Sequence, residues 1–130
     1  MADSELIIQL KSLINGLWLP SETEAPWTVP TWNLEIGDAE EIRQVLRREE
    51  HAPVVEMPLE NLMEQVQQRC QGYGDEGKAI ASQHRALANF LHQHCNLVRV
   101  FRVGEVTVDV LIVGQTPDGD LVLQSQSVET

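Results

Sequence analysis

Apolar residues recur at helical spacing near the start of this chain and at strand spacing near its end. Leu6, Leu10, Leu13 and Leu17, with Ile7 and Ile14 beside them, form one broad stripe and predict an amphipathic helix over residues 4–18. Asp3 or Ser4 can cap its start, and Pro20 stops it from running past Leu19. Leu19 to Trp27 then reads as a stiff, exposed loop, with Pro20 and Pro26 bracketing Glu22 and Glu24. Residues 27–36 predict a strand that Pro30 confines to an edge or a bulge. Asp38 can cap a short helix over 39–48 whose core face is Ile42, Val45 and Leu46. Residues 53–57 predict a short strand. Pro58 then suits the first turn of a helix reaching Arg69, with Leu59, Leu62, Met63 and Val66 inward. Gln71-Gly72-Tyr73-Gly74 breaks that helix, and Asp75 can cap the next, which runs to about Cys95 on a stripe of Ile80, His84, Leu87, Phe90, Leu91 and His94.

From Leu97 onward the period changes. Three strand-like runs are separated by Gly104-Glu105 and by Thr116-Pro117-Asp118-Gly119, both turn sequences. The middle run alternates through Val106, Thr107, Val108 and Asp109, then becomes apolar on both parities at Val110, Leu111, Ile112 and Val113. A strand apolar on both faces is central and covered on both sides. The pattern therefore predicts an α+β fold: a three-layer α/β/α sandwich with a mostly antiparallel sheet that ends in a β-meander.

The chain has 130 residues and a hydrophobic share of 42%, which fits one domain over 1–130 with a real core. The formal net charge of -11 argues against direct nucleic-acid binding, because phosphate repels such a surface. It suits a positive partner, or simple solubility. The start, Met1 to Glu5, is acidic where a secretory signal would be basic, and no apolar run is long enough to span a bilayer. Cys70 and Cys95 show no disulfide framework. A cytoplasmic protein with no membrane attachment is expected.

The densest chemical cluster is His92-Gln93-His94-Cys95, with His84 upstream. On a helix, His92 and His94 point to different faces, so a zinc set of about four ligands is not assembled. His84 and His94 fall on the core stripe, where a hydrogen-bonded histidine is the ordinary state. Cys95 paired with a histidine is the enzyme reading. A helix C-terminus disfavours a thiolate, and no flanking motif supports the pair. A non-enzymatic protein without cofactor is expected. Glu22 and Glu24 on a loop, and Glu129 and Thr130 at the tail, read by themselves as solvated groups.

A resemblance raises both of those segments. Arg102-Val103-Gly104-Glu105-Val106, Val108-Asp109-Val110, Val113-Gly114-Gln115-Thr116-Pro117, Gly119 and the closing Val128-Glu129-Thr130 resemble the nuclease A inhibitor-like family. Gly16-Leu17, Ser21-Glu22-Thr23-Glu24, Pro26, Trp32 and Asp75-Glu76 fall in register with it. Gly72, before Tyr73, and Ala25 stand where the family pattern implies aromatic residues. The resemblance implies a small acidic bacterial inhibitor of sugar-nonspecific, Mg²⁺-dependent nucleases. It implies that Glu22 and the Thr130 carboxylate approach the catalytic Mg²⁺ of the bound nuclease. Glu24, Trp27, Tyr73 and Glu129 are further candidates for partner contact. No metal site in the free protein is expected. The alternative is a divergent member of the family that binds a different protein.

Overall fold

The computed structural model describes residues 4–21, 23–30, 39–49, 51–117 and 119–129. Its elements, in order, are helix α1 (Ser4–Ile14), strands β1 (Trp18–Leu19) and β2 (Ala25–Pro26), helix α2 (Ala39–Val45) and strand β3 (Val54–Met57). Helices α3 (Leu59–Cys70) and α4 (Gly74–His94) follow, joined by a 3₁₀ turn at Gln71–Tyr73. Strands β4 (Leu97–Val103), β5 (Thr107–Thr116) and β6 (Gly119–Val128) close the chain. The fold class is α+β.

The four-stranded sheet has the order β3-β4-β5-β6, antiparallel throughout, and β1 and β2 form a separate two-stranded ribbon. The double-parity apolar run lies on β5, an inner strand, and every residue from Val108 to Gly114 is buried. The two parities serve two clusters. Val100, Val108, Val110, Ile112, Leu121 and Leu123 pack with α1, α3 and α4, whose contributions include Leu10, Leu59, Leu62, Val66, Leu87 and Leu91. Phe101, Val103, Leu111 and Val113 pack with Ile42 of α2 on the opposite parity. Each such leucine or isoleucine contributes about 1.5–3 kcal/mol by leaving water, so the larger cluster carries most of the stability.

Four local expectations are corrected. α1 ends at Ile14 rather than near residue 18, because Gly16 adopts φ +75 and the Leu17 amide bonds the Ile14 carbonyl at 2.9 Å. Leu17 is still fully buried, but from outside the helix. α2 stops at Val45, short of Arg48, and Arg47 turns the chain at φ 56. Asp75 lies within the first turn of α4, complementing the helix dipole; the cap position is Tyr73, whose side chain makes no cap bond. Leu19 to Trp27 is not purely a loop, since Trp18–Leu19 pairs with Ala25–Pro26. Beyond Pro26, Thr28 bridges to Gln124; the remainder of the strand expected over 27–36, from residue 31, and the Asp38 cap lie outside the described residues.

Candidate functional site

The β1–β2 ribbon is laid along β6, and this brings an acidic loop and a chain tail together. Thr28 and Gln124 exchange backbone hydrogen bonds, each at 2.8 Å. The Ser125 hydroxyl donates to the Ala25 carbonyl at 3.0 Å. At the loop's tip, the Ser21 hydroxyl donates to the Thr23 carbonyl at 2.7 Å and accepts from the Thr23 amide at 3.2 Å. The same oxygen accepts the Val128 amide at 3.2 Å. Ser21 therefore bonds Thr23 and the tail at the same time. The inward parity of β6 changes from Leu121 and Leu123 to Ser125 and Ser127, both buried. These small hydroxyls let the loop's backbone approach closely.

Two arginines fix the tail. Arg102 projects from β4 on the core-facing parity of Val98 and Val100, and donates to the Glu129 carboxylate. Arg69, in the last turn of α3, donates to the Pro20 carbonyl at 3.0 Å and to the Ser127 hydroxyl at 3.3 Å. Its other terminal nitrogen lies 3.7 Å from Glu129 Oε1. The Glu129 amide closes the arrangement on the Val106 carbonyl at 2.8 Å. Burial by itself would raise the Glu129 carboxyl. Hydrogen bonds from Arg102 and Ser127, with the charges of Arg102 and Arg69, outweigh it and hold the group below the usual carboxylate range.

A model of the family described as nuclease A inhibitor-like protein matches residues 4–130. The chain belongs to this family. Membership supports a nuclease-inhibitor role for the chain, with a nuclease as its protein partner. No match was found among curated proteins.

In this nuclease A inhibitor-like chain the six residues singled out from sequence fall into different settings. Glu22 and Thr130 themselves lie outside the described residues, but Ser21, next to Glu22, is bonded to Val128, two residues before Thr130. Glu24 is exposed on the same loop. Glu129 is turned inward onto Arg102 and Arg69, so its carboxylate anchors the tail. Tyr73 is half-buried and meets Trp18 edge to face, with centroids 5.4 Å apart. Trp27 is only 3% exposed, and its ring belongs to the core. Arg69, Arg102 and Trp18 join the site only through tertiary contacts. Arg102 left a signal: an arginine on the apolar parity of a covered strand requires a carboxylate partner.

The histidines and cysteines resolve into packing roles. His84 is 1% exposed and accepts the Trp27 indole N–H at 2.9 Å through Nε2. That leaves the ring proton on Nδ1, which donates to the Ile80 carbonyl at 2.9 Å. His92 lies beside Glu60, and His94 packs on Phe90. Burial raises the Cys70 thiol, while burial and the Asp120 charge raise that of Cys95, the opposite of what a nucleophile needs. Among the described residues, no group of three or more His, Cys, Asp or Glu side chains could hold a metal ion. Nor is any described helix long and apolar enough to cross a membrane.

Burial lowers the His84 pKa below its ordinary value, and the bond to Ile80 only partly opposes this. The folded ring thus resists a proton that the unfolded ring accepts near pH 6.5. Above that pH both states are neutral and nothing is lost. As pH falls through 6.5 toward the lower folded value, the unfolded state binds more protons and stability declines. The thermal midpoint should therefore drop between pH 7.5 and pH 5, and His84→Gln should flatten that slope. Parallel slopes for the two proteins would contradict the assignment.

Proposed function

We propose that this protein blocks a sugar-nonspecific, Mg²⁺-dependent nuclease by placing the Glu22 carboxylate and the Thr130 carboxylate together at its catalytic metal. The observation that carries this reading is the Ser21–Val128 hydrogen bond, which joins the flanks of those two residues. Mg²⁺ is a hard cation that takes oxygen ligands and keeps several waters. Carboxylates are suited to ligate it or to bind its water in the place of a substrate phosphate, while offering no bond to cleave. A net charge of -11 steers the chain toward a cleft built to attract nucleic acid. Glu24 lies on the rim of the plug. Tyr73, backed by Trp18, supplies an aromatic contact of the kind that dominates interfaces.

The test is a titration into a nonspecific Mg²⁺ nuclease with DNA as substrate. The full chain should inhibit. A chain ending at Val128, and separately Glu22→Gln, should each inhibit roughly 30-fold less or worse, the scale of losing one partner of a buried charged contact. Equal potency of the shortened chain would eliminate the tail from the mechanism. One observation favours a second reading, in which the fold serves another protein partner. Gly72 is exposed, with nothing within 4 Å of an added Cβ, at the position where the resemblance implies an aromatic anchor. Failure of the full chain to inhibit, with Gly72→Trp gaining inhibition, would support a partner change centred there.

A further inference from the structure

We infer that Arg69 is a positioning residue that couples the acidic loop to the tail, so that both carboxylate-bearing segments are presented as one unit. The functional half of this inference rests on the nuclease-inhibitor reading; the structural half rests on geometry alone. An arginine in the last turn of a helix is usually explained by the helix dipole. Arg69 does more than that. Its guanidinium reaches three separate groups: the Pro20 carbonyl at 3.0 Å, the Ser127 hydroxyl at 3.3 Å and the Glu129 carboxylate at 3.7 Å. Pro20 precedes the loop's turn-forming Ser21, and Ser127 and Glu129 flank the Val128 whose amide Ser21 accepts. Loop, tail and α3 are thus joined through one planar fork.

Arg102 supports the arrangement from below. It holds the other oxygen of Glu129 and donates to Gln65 of α3 at 3.4 Å, so the tail cannot move without also breaking a bond to β4. The delocalised fork of an arginine serves several acceptors in fixed directions, which the point charge of a lysine does not. The consequence for binding follows from ordering. Two carboxylates on independently moving segments must each be immobilised when they meet a metal centre, and prior fixation removes part of that cost.

Two measurements test this. The first is amide hydrogen exchange in the full chain. Arg69→Met keeps the aliphatic stem and should speed exchange at Val128 and Glu129 about tenfold or more, with Leu111 in β5 unchanged as the control for folding. Ser21→Ala, which cuts the loop–tail contact without touching a charge, should speed Val128 selectively as well. Unchanged exchange at Val128 and Glu129 in Arg69→Met overturns the inference, whatever happens to inhibition. The second is inhibition of a nonspecific Mg²⁺ nuclease. Arg69→Met should weaken it about tenfold in the full chain, yet by less than about twofold in a Glu22→Gln chain ending at Val128, where there is nothing left to position. Equal losses in both backgrounds would mean a merely structural role and would overturn it. If the unaltered chain inhibits no such nuclease, the proposed function fails and the exchange measurement alone decides the coupling.

Discussion

Trp27→Ala is expected to lower stability by about 3–5 kcal/mol, the range for removing a buried aromatic and leaving a cavity. Trp27 is held at three points. Its ring is 3% exposed, its indole donates to His84 at 2.9 Å, and its amide bonds the Leu17 carbonyl at 3.0 Å. The alanine variant keeps only the backbone bond. It loses the packing between the ribbon and α4, and it strips the His84 acceptor of its donor. Trp27→Phe separates these effects: it retains most of the apolar volume and should cost about 1–3 kcal/mol, the penalty for an unsatisfied buried acceptor. Urea unfolding reads both, as a lower midpoint at unchanged slope. A loss under about 1 kcal/mol for Trp27→Ala would mean that the ring is not seated where the structure puts it. The same residue connects core to function. The segment it anchors carries the acidic loop, so inhibition by the alanine variant should fall at temperatures where the protein is still folded.

Arg48→Met is expected to cost about 3 kcal/mol, near the lower end for breaking a buried ion pair from one side. The Arg48 Nε donates to Asp109 Oδ2 at 2.7 Å, and a second nitrogen donates to the Thr107 carbonyl at 2.7 Å. The Asp109 side chain is 6% exposed and the Arg48 side chain 24%. Removing the guanidinium leaves a buried carboxylate that still accepts from the Gln126 amide at 3.1 Å. Water reaching the arginine's side keeps the loss from the upper end of the range. Asp109→Asn should be milder, because it removes the buried charge along with its partner's demand. Asp109 and the Arg69 cluster occupy opposite parities of the sheet. Folded Arg48→Met should therefore inhibit as the unaltered chain does, within about twofold, assuming independent sites. A large loss of inhibition with little loss of stability would reverse that assignment.

These two residues also show why some features were legible and others were not. The meander was readable because Pro117 and Gly119 mark a turn and the doubled apolar parity of Val110 to Val113 marks an inner strand, both local properties. α3 and α4 were readable for the same reason, and the Gly72-containing break between them appears as a 3₁₀ turn. The early end of α1 was not. Gly16 is a local stop signal, but the apolar stripe continues past it to Leu17, so periodicity alone extends the helix. The choice was made by the β1–β2 pairing and by the Trp27 amide on the Leu17 carbonyl. Trp27, a rim candidate from sequence, is instead a core residue. The partner that draws it inward, His84, is 57 residues away.

The motif residues divide in a similar way. Arg102, Asp109 and Glu129 belong to the pattern that carries the family resemblance, and in the structure each is committed to an internal partner. The fold class, the strand meander, the main helices and the family are written in local periodicity, turn chemistry or a contiguous motif, so they can be read from the chain. That the acidic loop lies against the tail emerges only on folding. That proximity depends on a serine at position 21 reaching an amide at position 128 and on an arginine at position 69 reaching both, and hydrogen bonds across such separations leave no periodic trace in the chain.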